Sequence, residues 1–179
     1  TFLTGYMCQP PSAEGGLFQA IIRDAKPPRE HIEKIVQFWD TATTTKTYSD
    51  CSAMVEMWKL TNGRGYVAKV LNLRKSPSDV TDIMIHEYAR AEQETGHRPT
   101  LAIEAAQAGQ NYADFVRRLS GLHVYMHKLG GHGIGSGRRG PMDLADRASA
   151  AVHFFNEGIV FFPREYESWY ETAVNQMRA

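Results

Sequence analysis

Residues 50–60 and 65–74 are two strand-like runs joined only by Thr61-Asn62-Gly63-Arg64. Asn-Gly readily adopts the positive φ angles of a tight hairpin, so the stretch folds back as an antiparallel pair. A third run, residues 34–40, precedes it and ends Ile35-Val36-Gln37-Phe38-Trp39-Asp40. In 65–74, Tyr66, Ala68, Val70, Asn72 and Arg74 share one face, opposite Val67, Lys69, Leu71 and Leu73. Neither face is cleanly polar, which predicts a sheet partly covered on both sides.

The period then changes. Ser76-Pro77-Ser78-Asp79 starts a helix, with Ser76 or Ser78 as its cap. Val80, Ile83, Met84, Tyr88 and Ala91 recur at helical spacing, and Gly96 stops the helix. Thr100-Leu101-Ala102-Ile103-Glu104 reads as the next strand, and Gln107 to Leu119 as a second helix with Tyr112, Phe115, Val116 and Leu119 on one face. Leu122–Met126 is a fifth strand. A helix from near Met142 to Asn156, a strand Ile159–Phe162 and a last helical segment opened by Pro163 complete the order. Residues 1–33 carry Pro10-Pro11, Gly15-Gly16 and Pro27-Pro28 and read as an irregular lead-in, docked through Leu17, Phe18, Ile21 and Ile22. The domain proper is residues 34–179.

Three hairpin-joined strands followed by alternating helices and strands predict an α/β fold. Its sheet is mixed: a three-stranded antiparallel meander, then parallel crossover strands, flanked by helices. This order matches the ribonuclease H-like fold. There the first strand is central and the first crossover strand pairs with it, which brings Asp40 and Glu104 to one sheet edge. Converging carboxylates bind hard divalent cations, here Mg²⁺ or Mn²⁺, and a pair of such ions can drive phosphodiester hydrolysis. Taken singly, Asp40 could start a turn and Glu104 could cap the next helix. Their juxtaposition is the specific signal.

Bulk properties narrow the field. The 179 residues allow one domain with a real core, and 20 basic and 20 acidic residues cancel. That argues against a surface coated in positive charge, but a local basic groove stays open. Only Cys8 and Cys51 are present, which predicts a reducing compartment and no disulfide framework. No apolar run is long enough to span a bilayer. The start, Thr1-Phe2-Leu3, shows neither a signal peptide nor an initiator Met, and the chain is expected to be an excised domain.

Other motifs are weaker. The glycine-rich stretch 130–140 lacks Gly-Lys-Ser/Thr and is no nucleotide-binding loop. It either presents Lys128, Arg138 and Arg139 to a phosphate backbone or is a solvated linker. His123 and His127 are four apart on a strand-to-loop segment, a spacing that builds no helical zinc face. His153 reads as a core-edge residue. Trp39, Trp58 and Trp169 read as packing residues.

Several segments together resemble the nuclease domain of the large terminase subunit of tailed bacteriophages. They are Tyr6-x-x-Gln9-Pro10 with Glu14-Gly15-Gly16-Leu17-Phe18, Phe38-Trp39-Asp40-Thr41-Ala42 with Ser49-Asp50, and Ile103-Glu104 with Gly109-Gln110. Asp143 with Arg147-Ala148, and Gly158-Ile159-Val160-Phe161-Phe162-Pro163, continue the series, although Met142 stands where the family has Lys. The resemblance implies a metal-dependent endonuclease cutting double-stranded concatemeric viral DNA in the host cytoplasm. Asp40 would bridge two ions and Glu104 would hold the water-activating one. Asp143 would support the site or lie close to the DNA, and Arg147 would neutralise a phosphate or anchor Asp143. Implied partners are double-stranded DNA, the terminase ATPase domain (not in this chain), the small terminase subunit and the portal, with no membrane. The family's third acid is expected beyond Ala179, with Glu165 a poor stand-in. Alternative readings are another ribonuclease H-like enzyme, such as a Holliday-junction resolvase or integrase, and a non-catalytic DNA-binding or assembly module.

Overall fold

The computed structural model describes residues 18, 21–42, 51–105, 107–128 and 151–178. Seven strands form one sheet in the order β1-β7-β4-β3-β2-β5-β6. They are β1 (Arg23–Asp24), β2 (Ile32–Asp40), β3 (Ser52–Leu60), β4 (Gly65–Leu73), β5 (Thr100–Glu104), β6 (Val124–His127) and β7 (Val160–Pro163). β2, β3 and β4 are the antiparallel meander, and β5, β6 and β7 join in parallel. The arrangement is the expected ribonuclease H-like mixed sheet, with β2 between β3 and β5.

The hairpin forms as the sequence requires. Gly63 has φ 82°, and the Asn62 side chain accepts a hydrogen bond from the Arg64 amide at 3.0 Å. Helix α1 (Pro77–Thr95) starts on Ser76, whose hydroxyl accepts from the Asp79 amide, and Gly96 at φ 78° ends it. Helix α2 (Gln107–Ser120) follows β5.

The sheet is covered on both faces. Trp39, Met54, Leu101 and Ile103 pack against Val80 and Met84 of α1 and Tyr112 and Val116 of α2. On the other face Val67, Val160 and Phe162 pack against Tyr170 and Val174 of α3 (Tyr170–Arg178). Burying a large apolar side chain contributes about 1.5–3 kcal/mol, so these two layers dominate stability.

Three details differ from the sequence reading. The segment before residue 34 contributes β1, which pairs in parallel with β7, and its Arg23 donates to the Pro163 carbonyl at 2.9 Å. Pro163 closes β7 rather than opening a helix; α3 begins only at Tyr170. A strand end tolerates proline because no ladder N–H is needed there. His153 lies on helical residues 151–156 and is exposed, not at the core edge.

Candidate active site at the sheet edge

Alternation along β2 buries Ile35, Gln37 and Trp39 on one face. Val36, Phe38 and the exposed Asp40 therefore take the other. In β5, Leu101 and Ile103 share the buried α1/α2 layer, so Ala102 and Glu104 face the Asp40 side. The parallel register pairs Phe38 with Ala102 and Trp39 with Ile103. Asp40 and Glu104 are the next residues along the two strands, and continuation of that register would put them on the same face of neighbouring strands. β2 and β5, neighbours in the sheet, thus end at the same edge in the two acids singled out from sequence.

Both strand ends are held. Beyond Asp40, the Ala42 amide donates to Ser52 Oγ at 3.1 Å and the Tyr112 hydroxyl donates to the Ala42 carbonyl at 3.3 Å. Burial pushes the Tyr112 hydroxyl's pKa up, which keeps it a proton donor. Beyond Glu104, the Ala105 amide donates to the His127 carbonyl at 2.7 Å. Gly109, in the first turn of α2, lies against the Glu104 backbone. A Cβ there would collide with the Glu104 carbonyl oxygen and stand 3.1 Å from Ile103 Cγ2. Glycine at this position lets the helix seat directly on the strand end that carries Glu104.

β6 adds a residue that sequence reasoning missed. Its register pairs Glu104 with His127, so three neighbouring parallel strands end in Asp40, Glu104 and His127. His127 is exposed, and its ring meets Phe38 edge-on at 5.7 Å between centroids. The strand-end rule that singled out Asp40 and Glu104 would have found it, had the fifth strand been read one residue longer. Lys128 follows directly and is exposed at the same edge. Arg138, Arg139, Asp143 and Arg147 lie outside the described residues, as do Cys8, Ser49-Asp50 and the Tyr6–Leu17 part of the resemblance.

The donor chemistry fits hard divalent cations in part. Two carboxylates on one face suit Mg²⁺ or Mn²⁺, with the imidazole favouring Mn²⁺ of the two. Among the described residues, however, no group of three or more His, Cys, Asp or Glu gathers into a metal-binding cluster. Asp40, Glu104 and His127 form a row, not a closed cage. Glu165 follows β7, which stands three strands from β2 in the sheet.

Among solved structures, the chain is similar to the human cytomegalovirus terminase nuclease domain. The TM-score is 0.55 at 14% identity, over 81% of this chain and 71% of that one. At that identity the likeness is one of fold. A Ppx/GppA family protein from Aquifex aeolicus matches 53% of this chain and 35% of its own at 11% identity; its TM-score of 0.36 is too low to carry an argument. No model of a known protein family and no curated protein matches the chain.

Proposed function

We propose that this chain is a metal-dependent nuclease domain that hydrolyses DNA phosphodiester bonds. The observation that carries the reading is the parallel pairing of β2 with β5, whose last residues are Asp40 and Glu104. Bound divalent ions would supply an activated water and stabilise the leaving 3′ oxygen. Asp40, on the inner strand, would hold ions between itself and Glu104. The Ser52 and Tyr112 hydrogen bonds fix the backbone just past Asp40, and Gly109 fixes that of Glu104. The exposed Lys128, just past β6, would meet a phosphate. The finer reading is two-ion cleavage of double-stranded concatemeric viral DNA, as in a terminase large subunit. It rests on the sequence resemblance and the shared fold, and it carries with it the ATPase domain, small subunit and portal as partners. Asp143, Arg138, Arg139 and Arg147 belong to that reading.

The test is cleavage of supercoiled plasmid with Mn²⁺ or Mg²⁺, run beside a panel of branched DNAs. Nicking and linearisation of plain duplex are expected, with Asp40→Ala and Glu104→Ala each losing far more than about tenfold, or about 1.4 kcal/mol of barrier. A loss below tenfold for Asp40→Ala would remove it as a metal ligand. Preference for branched DNA would favour a resolvase-like enzyme. The lack of a three-donor cluster among the described residues favours a second reading, a DNA-binding or assembly module without chemistry. Calorimetry separates the two: a module takes up no Mn²⁺ at millimolar concentration.

A further inference from the structure

On the sheet face opposite α1 and α2, α3 packs over β3, β4 and β7 through Val55, Val67 and Phe162. Among the described residues that cluster stops short of β5 and β6. β6 is also the last strand of the sheet. Its Val124 and Met126 turn into the α1/α2 layer, so Tyr125 and His127 stand on the opposite face.

Three rings meet there. The register sets Tyr125 beside Ala102 and Ala102 beside Phe38, so the small, buried Ala102 lies between two aromatic residues. The His127 ring meets Phe38 edge-on at 5.7 Å between centroids and lies 6.5 Å from the Tyr125 ring, tilted 36° to it. Phe38 is half-buried and braces the group. Tyr125 is 54% exposed and His127 is exposed, so these two rings are open to solvent. The exposed Lys128 follows His127, and His127 itself pairs with Glu104 in register. The open rings are therefore continuous with the candidate active site and have a cation beside them.

Exposed rings next to a cation suit nucleic acid, because every base has a π-face to stack and every linkage a phosphate to pair. In a duplex each base is already stacked on its neighbours, so these rings can take only an unpaired base. We propose that Tyr125 and His127 form a stacking platform for unpaired bases of single-stranded DNA, with Lys128 on the adjoining phosphate. The platform rests on the nuclease reading for its DNA substrate, and it selects sites with an unpaired stretch beside the cut. Underwound plasmid supplies such stretches.

The experiment measures binding by fluorescence anisotropy in EDTA, where no metal-dependent cleavage occurs. The probes are a labelled oligothymidylate of about 15 nucleotides and a duplex of equal length. The single strand is expected to bind at least about fivefold tighter, although the duplex carries the denser charge. Tyr125→Ala should weaken single-strand binding about fivefold or more, and Tyr125→Phe should restore it to within about twofold, since the ring and not the hydroxyl stacks. Lys128→Ala should lower the salt slope on the single strand by about 0.7. Equal or tighter binding of the duplex overturns the proposal, as does a Tyr125→Ala chain that binds the single strand as well as the native one. The preference of the native chain needs no substitution, so it decides the matter if the alanine chain does not fold. Plasmid cleavage without single-strand preference removes the platform alone, and single-strand preference without cleavage removes the chemistry alone.

Discussion

Glu56 and Asp40 lie on strands that pair directly, yet Glu56 is fully buried while Asp40 is exposed. Around Glu56 every acid has its counterpart. Gln37 and the Trp58 indole donate to it at 2.8 and 2.9 Å, and Arg90 bridges it to Glu87 and Glu94. Lys69 holds Glu87 from the other side at 2.7 Å. Asp40, by contrast, has no ion pair among the described residues. Charge buried under α1 is neutralised by the protein itself, because an unpaired buried ion is too costly to keep. The charge of Asp40 instead stays at the exposed end of β2. Both regions use carboxylates on the same sheet, and the supply of partners separates scaffold from candidate chemistry.

The contrast can be broken in order of effect. Arg90→Met should cost about 3–5 kcal/mol in urea unfolding, since it strands Glu56 without a cation. A cost under about 1 kcal/mol would show that the buried acid does not depend on its partner. Asp40→Asn should do the reverse, leaving stability within about 0.5 kcal/mol while cutting Mn²⁺-dependent cleavage about 100-fold. Gly109→Ala sharpens the boundary between the two. It should destabilise by about 1–3 kcal/mol through overpacking and also lower cleavage, because the displaced backbone carries Glu104. Thermal unfolding would read the first effect and plasmid nicking the second.

The smallest effect is one of pH. Burial favours the neutral form of Glu87, but hydrogen bonds from Lys69 and Arg90 outweigh it and hold the carboxyl below its ordinary value. Such a group binds its proton more tightly when unfolded, so its stabilisation is complete above the unfolded pKa. It is lost as pH falls through the depressed folded value. Unfolding midpoints should therefore drop as pH is taken below about 4.5, and Glu87→Gln should flatten that drop.

Much of the sheet could be read in advance because local signals agreed with one another. Asn62-Gly63 set the hairpin, Ser76 and Gly96 bounded α1, and the strand-ending acids pointed to their own edge. What escaped detection depended on distant partners. β1 has two residues and no periodicity, and it exists only because β7 lies beside it. His127 gained meaning only through its register with Glu104. The Glu56–Arg90 network was equally silent, since a glutamate in an alternating strand gives no local sign of which cation will cover it.

The pairing of β2 with β5 also acts as a reading frame. Sliding either strand by one residue would turn Asp40 or Glu104 toward the helices and move Trp39 or Ile103 out of the layer they share with α1 and α2. An error that disarmed the edge would therefore wreck the core at the same moment. A chain of this kind would be either correctly assembled or visibly misfolded, so a well-folded variant that lost the proposed cleavage would point to the side chains themselves.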